Sequence, residues 1–138
     1  ADIEVRGTKL KGITLRGEII PRIIDEIPIL AVAASLARGK TIIREARELR
    51  VKETDRIAAM TENLRRMGVK VEELDDGMII QGSNSLQGIE AESFGDHRIA
   101  MSLIIAGLAA QGETTVYGTG CIKTSFPSFM ATLKEIAI

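Results

Sequence analysis

The chain has 138 residues, about one average domain, with 45% hydrophobic and 27% charged residues, a balance that supports a packed core and excludes a disordered chain. Its formal net charge of -1 speaks against a general binder of nucleic acid or of anionic membranes, so any anion site is local. A single cysteine, Cys121, and a single histidine, His97, exclude an intrachain disulfide framework and a Cys/His zinc site; the longest strongly apolar run, the 12 residues Ile99–Ala110, falls short of the roughly 20 that a membrane-spanning helix needs.

The sequence opens at Ala1 in strand-like residues, with neither an initiator Met nor the basic-then-apolar layout of a signal peptide, and reads as a piece of something longer. In chain order the pattern predicts a strand near 13–19, an apolar helix near 26–38, a strand near 40–45 and an amphipathic helix near 53–67. A hairpin follows, pairing Val69-Lys-Val-Glu-Glu with Met78-Ile-Ile-Gln81 around Asp75-Asp76-Gly77, a good turn signal. The order then starts again. Arg6-Gly-Thr-Lys-Leu-Lys-Gly-Ile13 recurs as Gln81-Gly-Ser-Asn-Ser-Leu-Gln-Gly-Ile89 with one insertion, and each copy leads through an apolar helix to a glycine and a strand beginning at threonine, Thr41 or Thr114. The period of 73–76 residues is much longer than a solenoid repeat and marks duplication of a whole βαβαββ unit. Unit one spans about 12–82; unit two spans about 88–138 and is cut off inside its second helix, from Ser125 onward.

The segments 29–38 and 99–110 are apolar almost all round, the signature of helices buried on every side, whereas 53–67 has a polar face with Glu62, Arg65 and Arg66 and should lie outside. Buried helices wrapped by half-exposed strands make an inside-out α/β arrangement.

Chemistry concentrates in Arg50-Val-Lys-Glu-Thr-Asp-Arg56, where five of seven residues are ionisable. The stripe Ile57, Met60, Leu64, Met67, run backwards, reaches Glu53 and Arg56, which places both on the core-facing side of the helix, with Asp55 turned away. A carboxylate and a guanidinium extending an apolar stripe need partners, a ligand or water. Both apolar helices also carry charge at their N-terminal ends: Arg22, Asp25 and Glu26 before the first, Gly95-Asp96-His97-Arg98 before the second. Asp25 and Asp96 read as N-caps. His97 and Arg98, cations at the positive end of a helix dipole, call for an anion there. The loop Gly118-Thr-Gly-Cys-Ile-Lys-Thr-Ser-Phe-Pro127 adds Lys123 in a setting that suits anion contact or a solvated turn, and Cys121 reads as a structural thiol. Lys52, Arg56, Arg98 and Lys123 with Asp25 and Glu53 make a mixed set with no metal cage, suited to an anionic substrate and proton transfer by carboxylates.

Four strings, Ile20-Pro-Arg-Ile-Ile-Asp-Glu-Ile-Pro28, Glu48-Leu-Arg-Val-Lys-Glu-Thr-Asp-Arg-Ile57, Gly95-Asp-His-Arg-Ile-Ala-Met101 and Lys123-Thr-Ser-Phe-Pro127, resemble in order and over essentially the whole chain the 5-enolpyruvylshikimate-3-phosphate synthase family. The resemblance implies an inside-out α/β barrel built of repeated βαβαββ units, of which this chain would be about two of the three in one C-terminal domain. It implies transfer of the enolpyruvyl group of phosphoenolpyruvate to the 5-hydroxyl of shikimate 3-phosphate, with release of phosphate, on the shikimate pathway to aromatic amino acids, with no cofactor and no metal. Carried over by position, Asp25 resembles the carboxylate that binds the shikimate ring and helps take the hydroxyl proton, and Glu53 the acid/base that protonates the enol carbon and later removes a proton. Lys52 resembles the residue at the shikimate hydroxyl. Arg56, Arg98 and Lys123 resemble the phosphoenolpyruvate clamp, with His97 at its rim. The family's shikimate-phosphate anchors lie in an N-terminal domain not present here, so the expectation is a segment inactive alone, prone to self-association through exposed apolar edges, from a monomeric cytoplasmic enzyme without nucleic-acid or membrane partners. A UDP-N-acetylglucosamine enolpyruvyl transferase fragment and a non-catalytic anion-binding module are the alternatives. The first lacks the Lys-Glu-Thr-Asp-Arg and Asp-His-Arg forms, and the second does not explain two carboxylates beside the cations.

Overall fold

A computed structural model describes Glu4 and residues 6–136; the strand-like start at Ala1 and the last two residues of unit two lie outside the described residues. The first strand, β1, is only Thr14–Leu15, because Gly17 takes φ 71° and turns the chain into successive helical turns: 3-10 at Gly17–Ile19, α1 at Ile20–Ile23 and 3-10 again at Ile24–Glu26. The strand expected to reach residue 19 therefore stops at residue 15. Helix α2 (Ile27–Ser35) starts with Pro28 in its first turn, where a missing N–H costs no hydrogen bond, and Gly39 at φ 87° turns the chain into β2 (Lys40–Ile43). Helix α3 (Arg56–Arg66) begins three residues later than expected, after a 3-10 turn over Arg47–Val51. Strands β3 (Lys70–Leu74) and β4 (Gly77–Gln81) form the hairpin, with Leu74 opposite Gly77 across Asp75-Asp76.

These strands make one sheet in the order β1-β2-β4-β3, parallel between β1 and β2 and antiparallel elsewhere. Side chains alternate across it: Ile43, Met78, Ile80 and Val71 are buried against the helices, while Ile42 and Ile79 face the other way and are half-buried. The chain continues through β5 (Leu86–Gln87), β6 (Glu90–Glu92), α4 (His97–Leu108), β7 (Ala110–Gln111), β8 (Thr115–Tyr117), α5 (Ile122–Ser125) and α6 (Phe129–Ile136), with β5 parallel to β7 and β6 parallel to β8.

The sequence repeat has an atomic counterpart. Gly12 N–H donates to the Arg38 carbonyl (2.8 Å) as Gly88 N–H donates to that of Gln111 (2.7 Å), and Ile42 bonds Ile13 as Thr115 bonds Ile89, each at 2.9 Å. A Cβ at Gly12 would overlap the Lys40 carbonyl, and one at Gly88 the Glu113 carbonyl. Gly12→Ala and Gly88→Ala are each expected to cost about 1–3 kcal/mol by forcing the parallel segments apart, read as a lower urea midpoint at unchanged slope.

Helices α2 and α4 pack against each other, with α2 and α3 against the first sheet and Ile27, Ala31, Ala34, Ile99, Leu103 and Ala106 in the core. The expectation that both are buried on every side holds on one side only. Ile29 and Met101 are uncovered in part and Leu108 is 61% exposed, because α5 and α6 cover that face only in part and leave cavities against it. Helix α3 departs the other way. Its stripe Ile57, Met60, Leu64 and Met67 is fully buried and Glu62, Arg65 and Arg66 face solvent, but Arg56, Thr61 and Asn63 are buried too, so α3 lies between the two units instead of simply outside. Asn63 makes the join: its Nδ2 donates to the carbonyls of Ala59 (2.9 Å) and Glu92 (3.0 Å), and its Oδ1 accepts the Glu92 N–H (3.2 Å).

Candidate active site

The N-terminal ends of α3 and α4 and the turn before α2 meet at the Arg56 guanidinium, whose side chain is 2% exposed. Nε donates to Asp96 Oδ2 (2.8 Å), Nη1 to Asp25 Oδ1 (3.0 Å) and Nη2 to Glu53 Oε2 (2.6 Å). Helical spacing does not bring Glu53 here. Asp55 is the N-cap of α3, its Oδ1 accepting the Ala58 N–H at 3.0 Å, and Glu53 lies ahead of the helix on a bend that folds back over Arg56. The expectation that Glu53 shares the helix's inner face is corrected accordingly: the cap breaks the helical phase at Asp55.

The two aspartates divide the roles that both were expected to share. Asp96, fully buried, caps α4: its Oδ1 accepts the N–H groups of Arg98 (2.8 Å) and Ile99 (3.2 Å) while Oδ2 holds Arg56. Asp25 caps nothing, because it sits in a 3-10 turn and the N-cap position of α2 belongs to Glu26. Its carboxylate faces cations instead, with Oδ2 3.5 Å from Arg98 Nη2 while its backbone carbonyl accepts from Arg98 Nη1 at 3.0 Å. Burial pushes the Asp25 carboxyl up, but the Arg56 hydrogen bond and the charges of Arg98, Arg56 and Lys52 outweigh it and hold it below the ordinary carboxylate value. Burial likewise opposes the charge on Arg56, and the hydrogen bond and charge of Asp96, with Asp25 and Glu53, raise its pKa above the ordinary value.

With its folded pKa below its unfolded one, Asp25 contributes stability that is complete above the unfolded value and lost as pH falls through the folded value. Urea midpoints taken from about pH 6 to about pH 3 are expected to fall less steeply for Asp25→Asn than for the parent chain. Equal slopes would remove Asp25 from the acid response, leaving groups such as Asp76, whose pKa is lowered by the Glu45 N–H.

The remaining candidates lie at varying distance from this hub. Lys52 is paired with Glu48 one turn back. His97 opens α4, and its Nδ1 is 4.0 Å from Glu53 Oε1, too far for a hydrogen bond. Arg98 and Asp25 line a cavity of about 250 Å³ with Ile29, Met101, Phe126 and Phe129. Lys123 lies elsewhere, on α5 at the wall of a separate cavity of about 560 Å³ with Ile104, Leu108, Thr114 and Met130, and the two cavities share no lining residue.

A family model described as EPSP synthase (3-phosphoshikimate 1-carboxyvinyltransferase) matches residues 1–133. The chain belongs to the EPSP synthase family. Among curated relatives, a 3-phosphoshikimate 1-carboxyvinyltransferase of Geotalea uraniireducens is 60% identical over 138 residues, all of this chain and 32% of the relative. One of Geobacter sulfurreducens is 59% identical over the same length and share. A solved EPSP synthase structure from Acinetobacter baumannii superposes with a TM-score of 0.88 at 43% identity, covering 92% of this chain and 30% of that one. The chain thus has the fold of part of an EPSP synthase, and spans about a third (32%) of the length of the curated relatives it matches. Against this EPSP synthase background, what the motifs missed is Asp96 as the buried partner of Arg56. Its cap is legible in Gly95-Asp96 before an apolar run, but no local signal joins it to a residue 40 positions away.

Proposed function

We propose that this chain is the C-terminal-domain portion of an enzyme that transfers the enolpyruvyl group of phosphoenolpyruvate to the 5-hydroxyl of shikimate 3-phosphate. The observation that carries the reading is the convergence of Asp25, Glu53 and Asp96 on Arg56 beside Arg98. Two of these carboxylates are half-exposed, open to a substrate on one side, while the third is buried and fixes the guanidinium.

In this reading Asp25 takes the proton of the attacking hydroxyl, Glu53 gives a proton to the enol methylene carbon, and the hydroxyl oxygen bonds to the neighbouring carbon that bears phosphate. The tetrahedral intermediate collapses as Glu53 takes a proton back from the new methyl group, the double bond re-forms and phosphate leaves. Arg98, Arg56 and Lys123 neutralise the anions, with His97 at the rim and Lys52 toward the shikimate hydroxyl. Arg98 is the readiest of the three cations, since Arg56 is covered by carboxylates and Lys123 lines the neighbouring cavity. No step of this reading calls on a metal. No helix among the described residues is long and apolar enough to cross a membrane; the full-length enzyme is proposed as cytoplasmic and monomeric. The partly uncovered side of α2 and α4 suits contact with the rest of that enzyme.

Phosphate release from phosphoenolpyruvate, dependent on shikimate 3-phosphate, by the full-length protein carrying this segment tests the reading. Arg98→Ala is expected to raise KM for phosphoenolpyruvate by about tenfold or more, the loss of one charged hydrogen-bonding partner, and the segment alone is expected to turn nothing over. Turnover with UDP-N-acetylglucosamine in place of shikimate 3-phosphate, or an unchanged KM in Arg98→Ala, would sink it.

A further inference from the structure

Arg50 opens the charged string, yet neither the motif nor the cluster around Arg56 gives it a task. Its guanidinium reaches four acceptors in three places. Nη1 donates to Asp55 Oδ2 (2.8 Å) and Glu73 Oε1 (2.7 Å), Nη2 to the Leu74 carbonyl (2.6 Å) and Nε to the Asp75 carbonyl (3.3 Å). Those acceptors belong to the N-cap of α3, to β3 and to the hairpin turn.

The turn is itself fixed, since Asp76 accepts the Ala46 N–H through its carbonyl (2.8 Å) and the Glu45 N–H through its carboxylate (2.9 Å). Asp55 is also held from two sides, by Arg50 on one oxygen and by the Ala58 N–H on the other. Arg50 and Asp55 therefore close the two ends of the short bight 51–54, which carries Lys52 and Glu53.

Beyond the Lys52–Glu48 pair and the Glu53–Arg56 contact, little else holds that bight. Val51 is 80% exposed, and among the described residues no hydrogen bond engages the backbone of Glu53 or Thr54. Apart from its own contact with Arg56, Glu53 depends for its place on the closure at the foot of the bight.

We propose that Arg50 is a positioning residue that holds the 51–54 bight closed against the hairpin, so that the Glu53 carboxylate stays over Arg56 and beside His97. The inference rests on the acid/base reading of Glu53. An isolated surface ion pair would do little here. A guanidinium satisfying two carboxylates and two backbone carbonyls from one plane is a different case, because its fork fixes directions that a lysine ammonium, three donors at one point, cannot reproduce. Arg50→Lys therefore keeps the charge and loses the geometry.

The test is a kinetic cycle in the full-length enzyme: parent, Arg50→Lys, Glu53→Gln and the double variant. Arg50→Lys in the parent background is expected to lower kcat by about tenfold or more, with KM for both substrates changed by less than about threefold, as for a displaced catalytic group. In the Glu53→Gln background the same change is expected to cost less than about twofold, because nothing remains to be positioned. Wild-type kcat in Arg50→Lys, or an equal loss in both backgrounds, overturns the inference and leaves the reading of Glu53 standing. Wild-type turnover in Glu53→Gln removes both, and is read separately from the Arg50 result. Should Arg50→Lys fail to fold, Glu73→Gln loosens Arg50 from the hairpin side and repeats the cycle, with the same outcomes deciding it.

Discussion

Truncating Arg56 to alanine is expected to destabilise this chain by about 3–5 kcal/mol, the cost of leaving a buried charge without its partner. The cost falls unevenly on its three carboxylates. Asp25 and Glu53 have open sides and regain water when the guanidinium goes. Asp96 is 0% exposed, and its only ion-pair partner among the described residues is Arg56. Its remaining oxygen is committed to the first turn of α4, so it cannot swing out without uncapping the helix that carries His97 and Arg98. Arg56→Ala combined with Asp96→Asn is therefore expected to recover part of the loss, because asparagine caps about as well as aspartate and brings no buried charge. Urea unfolding of Arg56→Ala and of the double variant decides the matter. A loss below about 1 kcal/mol for Arg56→Ala would place this pair with ordinary surface salt bridges.

Glu53→Gln is expected to lower kcat of the full-length enzyme by about 10²–10⁴, the usual worth of a positioned acid/base, while leaving stability nearly unchanged. The separation follows from exposure: Glu53 is 49% exposed, its amide isostere can still accept from Arg56 Nη2, and Asp96 rather than Glu53 neutralises the guanidinium in the core. What glutamine cannot do is give up and retake a proton. Single-turnover phosphate release with a thermal scan of the same sample separates the two effects. Normal turnover would end the acid/base assignment, and a collapse of stability would recast Glu53 as part of the structural hub.

Much of the architecture was legible because it is written in local pattern. The hairpin at Asp75-Asp76, the stripe Ile57, Met60, Leu64, Met67 and the repeat that puts Gly12 and Gly88 in matching close approaches all follow from periodicity, turn chemistry and self-similarity. The first strand stops short of residue 19 because the apolar pair Ile19-Ile20 suits strand or helix equally, and Gly17 at positive φ turns the chain into helical turns. At the site, the motifs identify the charged residues but not their division of labour. Asp25 and Asp96 look alike in sequence, each ahead of an apolar helix; a 3-10 turn at Asp25 passes the N-cap position to Glu26 and leaves Asp25 a half-exposed carboxylate among cations, whereas Asp96 is a buried cap that also holds Arg56. Lys123 shows the same limit from the other side, since its position in the chain says nothing about which cavity it will line.

The Asn63 amide mimics a stretch of backbone. By taking both the N–H and the carbonyl of Glu92, it extends the ladder of the second repeat into a helix of the first. The duplicated halves are on that account one cooperative body: melting should show a single transition, and a protease cut in the connecting stretch between residues 82 and 85 should leave two peptides that stay together until that transition is reached.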